Sequence, residues 1–536
     1  MTFELLPVRA AFGAGEPLLV EVRNLPEPGT MRIHHLGDPV AEVPVAESGV
    51  VKLEPLPPGG YGVELRSGDT VRRTAIEVTD PATPRMRYGF VVDYRADRDV
   101  DGVADTIRRL HLSDVQFYDW AYRHADLLGG GESYQDALGQ PITLASVRRL
   151  IHAVQRAGAR ALGYAAVYGV GNDEWDTWSH AALMSPTGLP YSLGDFLRII
   201  DPADPGWLEH FAADLVAAST ELGFDGFHLD QYGYPKYAVR PDGATVTLED
   251  SFASLIEAAR AALPESRLVF NNVNTFPVWR TGPSAQDAVY VEVWPPHTTL
   301  GHLAAVVGDA RRAGTGKPVV VAAYQHVYDS AEVEAADLAT AYTMATLFSH
   351  GATHLLAGEA DRILTDPYYV RNHTVEPSTA DLLRRWYDFL VEHGDLLFDE
   401  VLADMTGALA GDYNGVCDVT YPQAAVTETP VAGAVWRRIL GHGDRLVLHL
   451  INLAGQHDTE WDAPREPVRF LRGELRIRRI GAALPRVRMA DPDRQAMLVD
   501  LPVIADGDYA RVHVPSPRVW QMIVVDLAGT SPKERS

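Results

Sequence analysis

The sequence predicts an α/β fold: a (β/α)8 TIM barrel flanked by an N-terminal immunoglobulin-like β-sandwich and a C-terminal antiparallel β-domain. Three observations carry this. Short alternating apolar runs with Gly/Pro turns fill residues 1–82. Strand-like apolar runs then alternate with helical patterns over 86–397. β patterning returns over 398–528, and the polar segment 529–536 is expected to be a flexible tail.

In the first region Leu18, Val20 and Val22 alternate, as do Tyr61, Val63 and Leu65 after the turn Pro57-Pro58-Gly59-Gly60. Such runs with tight turns indicate a small β-sandwich. DPATPR (80–85) reads as a linker. The barrel strands are expected in 86–94, 114–120, 159–169, 224–233, 267–273, 287–294, 318–324 and 353–359. Most are apolar without strict alternation, as parallel strands covered by helices are. One helix is expected from Pro205 to Leu222, with Asp204 as N-cap, Pro205 in the first turn and Gly223 at its end. Trp207, Phe211 and Leu215 give it an apolar stripe. Other helices are expected over 142–157, 249–263, 298–313, 331–349 and 378–394. A doubly wound open sheet is the structural alternative, and the count of strand candidates favours the barrel. DRLVLHLINL (444–453) and RVWQMIVVDL (518–527) are strand-like.

The chain has 536 residues, 46% of them hydrophobic, and a net charge of −25. That charge argues against nucleic-acid or anionic-lipid partners. No window approaches the roughly 18 apolar residues of a membrane span. The N-terminus lacks a basic stretch followed by an apolar run, so a cytoplasmic location is expected, or a secreted one had a leader been removed. Cys417 is the sole cysteine and is read as inert. His-x-His and HExxH spacings, phosphate-cradling glycine loops and a G-x-S-x-G elbow are missing, so neither metal nor cofactor is expected.

Polar residues gather at the expected C-terminal strand ends, where barrels place their chemistry. They are Asp93; Tyr118 and Asp119; Tyr164 and Tyr168; Asp230 and Gln231; Asn271, Asn272 and Asn274; Glu292 and Trp294; Tyr324; and Glu359. Carboxylates and amides bind sugar hydroxyls, and aromatic faces stack on sugar rings. Asp230 and Glu292 lie on near-neighbour strands. Two such carboxylates suit glycoside hydrolysis, one attacking the anomeric carbon and one protonating the leaving oxygen. The apolar neighbours of Glu292 raise its pKa, as an acid needs. An aspartate at a strand end can also simply cap a helix. His228 is read as a core histidine, Trp175 and Trp178 as sugar-stacking residues, and GGG (129–131) as a plain flexible loop.

LSDVQFYDWAYRHADLL (112–128), DALGQPITLASVRRLI (136–151), GFDGFHLDQYG (223–233) and YVEVW (290–294) resemble glycoside hydrolase family 66. That family holds dextranases and cycloisomaltooligosaccharide glucanotransferases. The resemblance implies that Asp230 is the nucleophile and Glu292 the general acid/base. It implies retaining cleavage of α-1,6-glucosidic bonds in dextran or isomaltooligosaccharides, without a metal. Asp119 and His124 lie in the matching FYDW–YRH segment and are expected at the subsite of the reacting sugar. The strand-end positions add Asp93, Tyr118, Tyr164, Gln231, Asn272, Trp294, Tyr324 and Glu359 as substrate-binding candidates. Cyclising members resemble one another in carrying a carbohydrate-binding module after strand seven. Here QHVYDS alone follows Tyr324 before helical patterning, which favours hydrolysis. A transglycosylase and a non-catalytic sugar-binding protein are the alternatives. Oligomeric state and endo or exo action stay open.

Overall fold

The computed structural model describes residues 3–479 and 481–527, without the side chain of Asp412. The expected tail, 529–536, lies outside the described residues. The central element is a sheet of eight parallel strands in sequential order: β1 (Tyr88–Val91), β2 (Asp114–Phe117), β3 (Arg160–Ala166), β4 (Gly226–Asp230), β5 (Arg267–Val273), β6 (Ala288–Glu292), β7 (Val319–Ala322) and β8 (Ala352–Leu355). Seven of these lie inside the expected runs, and β8 starts one residue before its own. The strands are buried along nearly their whole length, which is why their sequences are continuously apolar.

The sheet curls back on itself. Beyond β8 the chain runs into Ala357–Gly358, and Gly358 pairs in parallel with Phe90 of β1. A side chain at this position would place a Cβ 2.2 Å from the Phe90 carbonyl oxygen, so only glycine allows the approach. Arg362–Ile363 and His373–Thr374 add two antiparallel strands, completing an 11-stranded, barrel-like sheet.

Helices cover the outer surface: α1 (Val100–Arg109), α2 (Leu144–Arg156), α3 (Pro205–Leu222), α4 (Leu248–Ala262), α5 (Leu300–Gly314), α6 (Val333–Ser349) and α7 (Pro377–Glu392). In α3 the Asp204 carboxylate accepts from the Gly206 and Trp207 N–H groups, and Gly223 ends the helix in the left-handed region at φ 88°. The sequence reading missed α1. It is short, contains a glycine and buries only Val103, Thr106 and Ile107, so its apolar period is faint.

Before the sheet, a three-stranded and a five-stranded layer share a core of Leu5, Val20, Ile33, Val63, Leu65 and Ile76. After it, seven- and four-stranded layers enclose a second core around Val435, Leu448, Leu475, Val512 and Ile523. Both units are anchored to the helices. Asp388 of α7 accepts from Thr74 Oγ1 and the Ala75 N–H, and Tyr342 of α6 donates to the Asn452 carbonyl.

Candidate active site

A cavity of about 300 Å³ opens at the C-terminal ends of the strands. Asp230 and Glu292 both line it, each as the last residue of its strand. Side chains alternate along a strand, so His228 faces the cavity with Asp230, and Tyr290 with Glu292.

Asn271 on β5, the strand between β4 and β6, joins the two carboxylates. Its Nδ2 donates to Asp230 Oδ1 at 2.7 Å and to Glu292 Oε2 at 2.9 Å. The two carboxylate oxygens are thus less than two hydrogen-bond lengths apart. That suits the roughly 5–5.5 Å of retaining glycosidases, not the roughly 6.5–9.5 Å of inverting ones. The remaining oxygens take phenol donors: Tyr164 Oη to Asp230 Oδ2 at 2.7 Å and Tyr324 Oη to Glu292 Oε1 at 2.9 Å.

Burial raises both carboxyls above the usual range. For Asp230 the shift is opposed by hydrogen bonds from Asn271, Tyr164 and the Gln231 N–H. For Glu292 the negative charge of Asp230 adds to burial. No lysine or arginine lines the cavity among the described residues, so neutral donors alone stabilise charge here. The arrangement favours one proton shared by the pair, with Asp230 ionised and Glu292 holding the proton.

Asp119 and His124 also line the cavity. Asp119 sits in the left-handed region at φ 44°, an uncommon conformation for a non-glycine residue. Burial, then the charges of Asp136 and Asp230, push its carboxyl well up. Burial and Arg123 push His124 down to about 4, so its imidazole is neutral at pH 7. His228 is a core histidine at the cavity floor, paired with Tyr88 Oη at 3.0 Å and stacked on Tyr164. Burial pushes it down to about 3. Tyr118, Trp294 and Tyr324 complete the aromatic wall, with Tyr118 stacked on Tyr369 at 4.2 Å.

Several candidates sit elsewhere. Asn272 alternates away from the cavity. Its amide donates to the Tyr290 and Phe270 carbonyls and accepts from Thr281 Oγ1, so Asn271 takes the place expected of it. Gln231 lines the cavity, but its amide is used in tying loops together, through the carbonyls of Asn271 and Phe276 and the Gly233 N–H. Asp93 and Glu359 line a separate cavity of about 450 Å³. Both lie past the end of their strands, where the chain has already turned. Asp93 is paired with Arg95 at 2.7 Å. Glu359 accepts from the Val92 and Asp93 N–H groups and pairs with the mostly buried side chain of Arg98. Trp178 packs on Trp207 at 4.9 Å, and neither it nor Trp175 lines the active cavity. Leu193 and Phe196 of the same excursion do. Tyr368 and Tyr369, from the loop after β8, were not anticipated.

Glu359→Ala is expected to leave the mostly buried Arg98 side chain without its direct ion-pair partner, with only the charges of Asp93 and Asp99 nearby. Loss of such a partner costs about 3–5 kcal/mol. Thermal unfolding should report that loss, while kcat on a short substrate should change little.

A pair of carboxylates facing one cavity at the C-terminal strand ends of a barrel-like parallel sheet is an arrangement that glycoside hydrolases use. The model for glycosyl hydrolase family 66 matches residues 33–524, and the chain belongs to that family. A cycloisomaltooligosaccharide glucanotransferase of Niallia circulans is 25% identical, covering 87% of this chain and 64% of its own length. A dextranase of Streptococcus salivarius is 24% identical, covering 66% of this chain and 51% of its own. The chain therefore spans less than two thirds of the length of these curated relatives. Among solved structures, a cycloisomaltooligosaccharide glucanotransferase of Paenibacillus sp., complexed with cycloisomaltoheptaose, shares the fold. Its TM-score is 0.85 at 18% identity, covering 97% of this chain and 99% of that one.

Proposed function

We propose that the chain is a retaining glycoside hydrolase that cleaves α-1,6-glucosidic bonds in dextran or isomaltooligosaccharides. The observation that carries this is the Asn271 amide bridging Asp230 and Glu292, whose spacing fits double displacement. The family and its dextranase and glucanotransferase relatives support the substrate class. The same reading takes the curled sheet as a (β/α)8 barrel, the N-terminal layers as immunoglobulin-like, and residues near 82 and 397 as domain boundaries.

In the first step an Asp230 oxygen attacks the anomeric carbon. The bond from that carbon to the leaving O6 breaks, and the Glu292 proton passes to O6. A glucosyl ester of Asp230 results. In the second step Glu292 takes a proton from water, the water oxygen attacks the anomeric carbon, and Asp230 leaves as carboxylate. Two inversions give net retention. Proton NMR of the first-formed product should show the α-anomer before mutarotation. Initial release of the β-anomer would overturn the double displacement.

Transfer to a sugar hydroxyl in place of water is the second reading, favoured by relatives named as glucanotransferases. Against ring formation, β7 ends at Ala322 and α6 begins at Val333, with one short 3-10 turn, His326–Asp329, between them. Chromatography with mass detection on dextran and isomaltoheptaose separates the readings. Linear, shorter products support hydrolysis. Rings or lengthened chains support transfer.

A further inference from the structure

Asn271 has no acid–base chemistry of its own, yet it touches both reacting groups. Its Nδ2 carries two hydrogens and serves two acceptors, Asp230 Oδ1 and Glu292 Oε2. The residue is 2% exposed, and register pairs it with Tyr290, two residues before Glu292. The other oxygen of each carboxylate faces a hydroxyl, Tyr164 on Asp230 and Tyr324 on Glu292. The two kinds of partner differ in one respect. A hydroxyl can donate or accept, whereas an amide N–H can only donate. A proton on Glu292 Oε2 would meet the Asn271 N–H head-on. A proton on Oε1 meets a Tyr324 hydroxyl that can turn to accept it.

We propose that Asn271 is a positioning residue that holds the two carboxylates at one separation and directs the Glu292 proton to Oε1, the oxygen shared with Tyr324. The proposal rests on the double-displacement reading. The surroundings leave this task to a neutral group. Facing the pair are Asp119, whose own carboxyl burial pushes up; His124 and His228, both neutral; and tyrosines that burial holds protonated. With no cation lining the cavity among the described residues, the shared amide limits the repulsion between the two carboxylates when both are ionised. Its N–H groups stabilise the charged form of each, opposing the upward push of burial.

The test compares Asn271→Ala and Asn271→Asp with wild type. Asn271→Asp keeps the shape and replaces the obligate donor by a carboxyl. Asn271→Ser restores one donor and guards against a folding defect in the other two. Two readouts are used: the pH–rate profile on isomaltoheptaose, and a substrate-free infrared titration of the carboxyl band, assigned with Glu292→Gln as reference. Loss of the shared donor should move the acid limb of the profile and the carboxyl titration to higher pH. It should also lower kcat roughly ten- to a thousandfold, the range that misplacement of reacting groups produces. Asn271→Ser should lie between alanine and wild type on both readouts. A folded Asn271→Ala protein with wild-type titration and wild-type pH limbs overturns the proposal. So does a kcat loss without any shift of either, which marks a packing role. Should wild type leave α-1,6-glucans intact, the functional reading falls, and the infrared titration still decides whether Asn271 governs the pair.

Discussion

Asp230→Ala is expected to lower turnover of α-1,6-glucans by roughly three to six powers of ten, about 4–8 kcal/mol of transition-state stabilisation. Its neighbours, the Asn271 amide and the Tyr164 phenol, are not carboxylates, so neither can form the glycosyl ester in its place. Secondary structure should be unchanged by circular dichroism. Stability provides an independent reading with a definite sign. Burial raises the folded-state pKa of Asp230 above the roughly 3.9 of an unfolded chain. Stability from such a group is fully present below the unfolded value and is lost as pH rises through the folded one. Asp230→Ala should therefore melt at a temperature equal to or above wild type at pH 8, with the gain fading toward pH 4. Activity near that of wild type would remove Asp230 from the nucleophile's role, whereas a large destabilisation at pH 8 would show that its hydrogen bonds to Asn271 and Tyr164 also support the fold.

What could be read from the sequence follows from which signals are local. Continuous apolar runs mark buried parallel strands, so the eight sequential parallel strands of the sheet were placed, and the three short strands after them were not. The caps of α3 were legible because Asp204, Pro205 and Gly223 each act through neighbouring backbone. Asp230 and Glu292 were legible because each closes a strand and so faces the cavity. Asp93 and Glu359 obey the same strand-end rule in sequence yet fail it in space. β1 stops at Val91, and the chain beyond turns toward Arg95 and Arg98. Asn271 and Asn272 differ only in parity, and a run with apolar residues on both faces gives no alternation from which to read it. The period of two along β5, set against the Asp230 and Glu292 positions, was the signal that could have found Asn271. Tyr369 comes from a loop with no period at all, and only the close of the sheet brings it onto Tyr118.

Glu292→Gln separates the acid role from the nucleophile's. The substituted amide keeps the shape and can still accept from Tyr324, but it has no proton to deliver to a leaving alkoxide. On isomaltooligosaccharides, whose leaving group is a poor one, turnover should fall by roughly two to four powers of ten, the usual range for general acid catalysis. On an activated aryl α-glucoside the leaving phenolate needs no proton, so ester formation should survive and the ester should accumulate. Mass spectrometry of the quenched protein would then show Asp230 carrying a glucosyl unit, because hydrolysis of that ester lacks its base. The pH profile supplies the sign. Glu292 must be protonated to act as acid, and burial together with the Asp230 charge raises its pKa. Wild-type activity should therefore persist to higher pH than an ordinary carboxylic acid permits, and then fall as Glu292 ionises. Asp230 must be ionised to attack, and its own raised pKa moves the acid limb upward too. In Glu292→Gln the alkaline limb should vanish on the aryl substrate. The acid limb should remain, because Asp230 must still be ionised to attack. Equal losses on both substrates, or an alkaline limb that persists in the variant, would exclude Glu292 as the acid.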